Sequence, residues 1–124
     1  MIKKVILPCL AALNLLAIEP RIGLFELETT PQRFSELAAL GADNLSNSQK
    51  LEPNTLAMFF TSAADKPEQT YVLEIYADEA AYEARRQAPH FKEFVRDCGD
   101  MVVKFEGFSL KNNYSFSKAK FGDF

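Results

Sequence analysis

The sequence predicts an α+β fold with element order β-α-β-β-α-β and one antiparallel sheet. Three observations predict it. From Arg21 onward, segments rich in β-formers alternate with segments of helical spacing. Two of the strand segments follow one another directly, with only a polar loop between them. Each strand segment also carries bulky apolar residues at both odd and even positions, so both faces of the sheet need cover.

The first strand is Ile22 to Glu28. Ile22, Leu24 and Glu26 point one way, and Gly23, Phe25 and Leu27 the other. Thr29-Thr30-Pro31 starts a helix, with Thr30 as cap and Pro31 as first helical residue. Phe34, Leu37, Ala38 and Gly41 form its apolar stripe, and Asn44, Ser46, Asn47 and Ser48 weaken its end. Glu52-Pro53-Asn54 is a turn. Thr55 to Ser62 reads as the second strand, and the polar stretch Ala63 to Gln69 as a hairpin loop. In the third strand, Tyr71, Leu73 and Ile75 share one face, and Val72, Glu74 and Tyr76 the other. Asp78 caps a second helix carrying Ala81, Tyr82 and Arg85. Pro89 interrupts it, because an interior proline removes a hydrogen bond and clashes with the preceding turn. Phe91, Phe94, Val95 and Cys98 continue the stripe, and Gly99-Asp100 ends it. Met101 to Leu110 is the last strand.

This order is the ferredoxin-like split βαβ arrangement, with both helices on one sheet face. A second copy of the chain is the simplest cover for the other face, so a homodimer is expected. Outside the domain at 21–110 lie an apolar extension at 1–20 and a tail at 111–124 carrying Tyr114, Phe116, Phe121 and Phe124. That tail is aromatic enough to dock on its own domain or on the partner. Met1-Ile2-Lys3-Lys4 followed by apolar Val5 to Ala17 has the shape of a secretory signal. Leu15 departs from the small-x-small rule, and a retained amphipathic or buried helix is the other reading. Cytoplasm and periplasm both stay open.

A chain of 124 residues suits one domain, and 48% hydrophobic with 25% charged residues is an ordinary globular balance. A net charge of −3 argues against a nucleic-acid partner. No stretch is long and apolar enough to be an ordinary membrane span. Cys9 and Cys98 are far apart, with no Cys/His cluster, so no zinc site of the usual kind is supported. Cys98 reads as a small buried hydrophobe.

His90, the single histidine, falls at a restarted helix in Ala88-Pro89-His90-Phe91. It is the one side chain whose ordinary pKa suits proton exchange near neutrality, and a surface or half-buried histidine without chemistry is the plainer alternative. Glu74, mid-strand beside Val72 and Tyr76, needs a partner if buried; a structural ion pair with an arginine would supply it.

Glu52-Pro53-Asn54-Thr55-Leu56, then Tyr71-Val72-Leu73-Glu74-Ile75-Tyr76-Ala77-Asp78, then Ala88-Pro89-His90-Phe91 with Phe94, resemble the antibiotic biosynthesis monooxygenase (ABM) domain. The resemblance covers roughly Arg21 to Leu110. Asn54 stands where the family usually has glycine, Arg85 where many members carry another histidine, and Tyr76 where tryptophan is frequent. The haem-degrading branch is disfavoured, because its Asn/Trp/His set cannot be assembled here.

The resemblance implies a dimeric α+β barrel and oxidation of a quinol-like or polycyclic phenolic molecule by O2, with no cofactor. In such chemistry the substrate supplies the electrons, and the protein supplies an apolar pocket, a base and a donor for the anion. His90 is expected as base or phenolate partner, Glu74 as the group that orients it or a substrate hydroxyl, and Arg85 as anion stabiliser. Tyr76, Phe59, Phe91, Phe94 and Asn44 are expected around the small aromatic substrate. Two other classes stay open: an isomerase on the same fold, which would need more polar groups, and a non-catalytic dimeric binding protein with no cavity beside His90.

Overall fold

The computed structural model describes residues 19–118. The signal-like segment up to residue 18, Cys9, Phe121 and Phe124 lie outside that range. The chain runs through β1 (Arg21–Thr29), a 3-10 turn at Pro31–Arg33, α1 (Phe34–Leu51), β2 (Thr55–Ala63), β3 (Lys66–Tyr76), α2 (Glu79–Gln87), α3 (Pro89–Cys98) and β4 (Val102–Leu110). The four strands form one antiparallel sheet in the order β2-β3-β1-β4. This is the expected ferredoxin-like α+β arrangement, with the last helix divided in two.

The local reasons are visible in the chain. Asp78 Oδ1 accepts the Ala81 N–H at 2.8 Å and so starts α2. Ala88, which precedes Pro89, is extended (φ −65°, ψ 134°), as a residue before proline prefers. Proline then opens α3 at its first turn. Thr30 differs from expectation: its side chain makes no capping bond. The chain instead enters α1 through the tight turn that the Arg33 N–H closes onto the Thr30 carbonyl at 3.0 Å.

Two further differences have packing causes. The polar run after Asn44 does not end α1, which continues to Leu51. Leu37, Gly41, Asn44 and Ser48 form one buried stripe, so tertiary contact overrides weak propensity. The expected hairpin loop is shorter, because β3 begins at Lys66 and Ala63 pairs with it. Gly41 lets α1 lie close to the sheet: a Cβ there would sit 2.6 Å from the Phe60 ring.

The helices cover one sheet face, where Leu27, Thr70, Val72, Glu74 and Tyr76 are buried. Leu37, Cys98 and Met101 form the core between α1 and α3, flanked by Leu40, Phe60 and Phe94. The opposite face presents two registered rows across all four strands. Phe59, Leu73, Leu24 and Phe108 make one; Ala57, Ile75, Ile22 and Leu110 make the other. Among the described residues, no helix packs on this face. Tyr114 and Phe116 of the tail are exposed as well.

Candidate active site

Between the helices and the sheet lies a cavity of about 520 Å³. That volume falls in the ordinary range for small-molecule sites. Its walls are largely aromatic: Phe25 and Phe60 from the sheet, Tyr82 from α2, Phe91 and Phe94 from α3, and Phe105 near its exposed rim. Its polar lining comes from Asn44, Glu74, Tyr76, Arg85 and Arg86, with the Cys98 thiol alongside. A wider surface depression of about 680 Å³ along α1 and β2 has no titratable side chain in its lining, so the smaller cavity is where the chemistry concentrates.

Arg85 is the hub. It lies on the buried stripe of α2 and is only 2% exposed, a position an arginine holds only when paired. Its Nη1 donates to Ser48 Oγ at 2.6 Å and to Glu52 Oε2 at 3.0 Å. Its Nη2 meets Glu74 Oε1 at 3.5 Å. The guanidinium carbon sits 4.7 Å from the Phe91 ring centroid, which fixes the plane of the group.

The bonds continue outward on both sides. On the cavity side, the Tyr76 hydroxyl donates to Glu74 Oε2. On the far side, Glu52 Oε1 accepts the Thr55 hydroxyl at 2.7 Å, and Glu52 Oε2 also meets His90 Nε2. Five side chains therefore form one file: His90, Glu52, Arg85, Glu74, Tyr76. Ser48 in turn donates to the Asn44 carbonyl at 2.9 Å, which ties the file to α1.

Burial and charge divide the two carboxylates. For Glu74, burial is the largest influence and raises its carboxyl above the ordinary value, against the pull of Arg85 and Tyr76. For Glu52, burial pushes up, but the bonds from Thr55 and His90 and the charge of Arg85 outweigh it, and the carboxyl is held low. Burial and the adjoining Glu74 push the Tyr76 phenol well above its usual range, so it remains a donor. Burial likewise raises the Cys98 thiol. Of the four buried side-chain atoms without a hydrogen-bond partner among the described residues, two belong to this site, Asn44 Oδ1 and Arg85 Nε; the others are Thr29 Oγ1 and Thr70 Oγ1. Asn44 and Arg85 both line the cavity, and a buried polar atom left unpaired is costly.

Of the residues singled out from sequence, Glu74, Arg85, Tyr76, Phe91, Phe94 and Asn44 line this one cavity. Two do not. His90 lines a separate shallow depression with Asp43, Lys50, Glu93 and Asp97, and reaches the cavity only through Glu52 and Arg85. Phe59 lies within β2 and lines the wider depression, paired in register with Leu73. Ser48 and Glu52 were not foreseen as site residues. A signal for them exists: the stripe Leu37, Gly41, Asn44, Ser48, extended by one more turn, arrives at Glu52, and it changes from apolar to polar on the way. Among the described residues, no group of three His, Cys, Asp or Glu side chains could hold a metal ion. No helix among them is long and apolar enough to cross a membrane.

The sequence profile of the antibiotic biosynthesis monooxygenase family matches residues 21–97. The chain belongs to that family. Among solved structures, it is similar to an antibiotic biosynthesis monooxygenase-like protein of Bacteroides thetaiotaomicron, at 30% identity and a TM-score of 0.77, covering 82% of this chain and 97% of that one. A second such protein, from Caulobacter crescentus, is 20% identical with a TM-score of 0.72, covering 78% of this chain and 93% of the other. The Mycobacterium tuberculosis protein Rv0793 is 18% identical, also with a TM-score of 0.72, covering 79% and 99%. The last two likenesses concern the fold alone. None of the curated proteins matches the chain.

Proposed function

We propose that the chain is a monooxygenase of a quinol-like or polycyclic phenolic small molecule, working as a homodimer and drawing electrons from the substrate itself. The observation that carries this reading is the aromatic cavity whose polar lining includes the bonded group Arg85, Glu74 and Tyr76, together with the unpartnered Asn44 Oδ1. Aromatic walls suit a flat ring system, and the polar group of Arg85, Glu74 and Tyr76 suits its hydroxyl.

The geometry supports a division of roles. Two carboxylates around one guanidinium, with proton affinities driven apart, divide the labour. Glu52 stays ionised and balances Arg85. Glu74, raised by burial, takes the phenolic proton as base. Arg85 then faces the phenolate, and a preformed cation in a water-poor site stabilises that charge strongly. Tyr76 and Asn44 orient the hydroxyl end, and Phe91 and Phe94 hold the ring. His90 acts from behind, through Glu52.

The electron-rich anion reduces O2. One oxygen atom joins the ring carbon and the other leaves as water, with a quinol giving a hydroxyquinone. Two electrons come from oxidation of the quinol and two from conversion of the ring C–H to C–OH, so no external reductant enters the balance. Oxygen uptake with menadiol, set against the uncatalysed rate, tests this reading.

A further inference from the structure

We propose that Glu52 is a positioning residue, which draws the Arg85 guanidinium toward itself, loosens its contact with Glu74 and so keeps Glu74 ready to accept a proton. The inference rests on the reading of Glu74 as base.

Glu52 does not line the cavity, yet both its oxygens are engaged. Thr55 clamps Oε1 at 2.7 Å, while Oε2 receives both His90 and Arg85. The contact with Arg85 is the closer of that residue's two carboxylate contacts, 3.0 Å against 3.5 Å for Glu74. One guanidinium is thus shared unequally between a fixed outer carboxylate and a cavity carboxylate. The outer one, being closer, takes the larger share of the attraction. Without its charge, Arg85 would have Glu74 as its one acidic partner, and the ionised form of Glu74 would gain. Glu52 also repels a charge on Glu74 directly, which acts in the same direction.

The other groups around Glu74 do not substitute for this. Tyr76 on its own strand donates to it, and α2 offers Arg86 and Tyr82 beside Arg85. Arg86 pairs with Glu83, and Arg21 of β1 with Glu79. From α3 come Cys98 on the cavity and His90, which is occupied by Glu52. The cross-strand neighbours of Glu74 are Gly23 on β1 and Met58 on β2, and neither carries charge.

The test is a carboxyl carbon-13 NMR titration of Glu74 in the full chain, comparing wild type with Glu52→Gln. The expected result is a midpoint lower by about one pH unit or more in the variant, a tenfold loss of proton affinity. Glu52→Asp should restore it in part. The acid limb of kcat/KM for menadiol should move the same way. Equal midpoints in wild type and Glu52→Gln would overturn the proposal. If Glu52→Gln does not fold, Glu52→Asp still decides, since it keeps the charge but withdraws it from Arg85: a Glu74 midpoint below that of wild type supports the proposal, and an equal one overturns it. The NMR readout needs no turnover. A shifted midpoint without oxygen uptake leaves the positioning role standing and removes the oxygenase reading. Oxygen uptake with an unshifted midpoint does the reverse.

Discussion

Arg85 and Glu52, far apart in the chain, meet at 3.0 Å inside the protein, with Arg85 2% and Glu52 9% exposed at their side chains. Such a pair is costly to break from one side, because the remaining charge stays buried without a partner. Arg85→Ala should therefore destabilise the fold by about 3–5 kcal/mol, read as a lower urea midpoint. A loss within the range of ordinary surface substitutions, about 0.5 kcal/mol or less, would mean that the guanidinium is not held as described.

The two carboxylates predict opposite pH dependences. Glu52 is held below its ordinary value of 4.5, so its contribution to stability is complete above that pH and disappears as pH falls through the lower folded value. Glu74 is raised above 4.5, so its contribution is complete below that pH and is lost as pH rises through the higher folded value. The stability gap between wild type and Glu52→Gln should shrink on acidification. Wild type should lose ground to Glu74→Gln as pH rises. Urea unfolding across the acid-to-neutral range measures both slopes, and a common sign would contradict this division.

The sheet face opposite the helices makes a separate prediction. Leu73 and Ile75 sit centrally in the two apolar rows, between β1 and β2. A second copy packing face to face would bury them. Light scattering at micromolar concentration should report a dimer for wild type and a monomer for Leu73→Glu. A wild-type monomer under those conditions would remove the homodimer.

Much of this arrangement was legible in one dimension. The alternation of Val72, Glu74 and Tyr76 against Tyr71, Leu73 and Ile75 places Glu74 and Tyr76 together on the helix side, because side chains in a strand alternate faces. Asp78 and Pro89 mark their helix starts through local chemistry alone. The length of α1 was not legible, since Asn44 and Ser48 are poor helix formers that remain helical by packing on the sheet side. Nor was the meeting of Glu52 with Arg85 and His90. No periodicity links the end of one helix to residues on two later ones, and in sequence Glu52 reads as the start of a turn and of a family motif, with no partner indicated. His90 drew attention for its chemistry, but position in space was needed to see that it bonds to Glu52 rather than lining the cavity.

The most direct measurement is oxygen consumption with menadiol by wild type, Glu74→Gln and His90→Ala, each corrected for the uncatalysed rate. The account predicts uptake by wild type and a loss of about 10²–10⁴-fold in Glu74→Gln, the usual contribution of a positioned base. His90→Ala, which acts only through Glu52, should lose less. Wild-type uptake that survives in full in Glu74→Gln, or that His90→Ala abolishes while Glu74→Gln retains it, would contradict the assignment of the base. No uptake by wild type would contradict the proposed activity with this quinol.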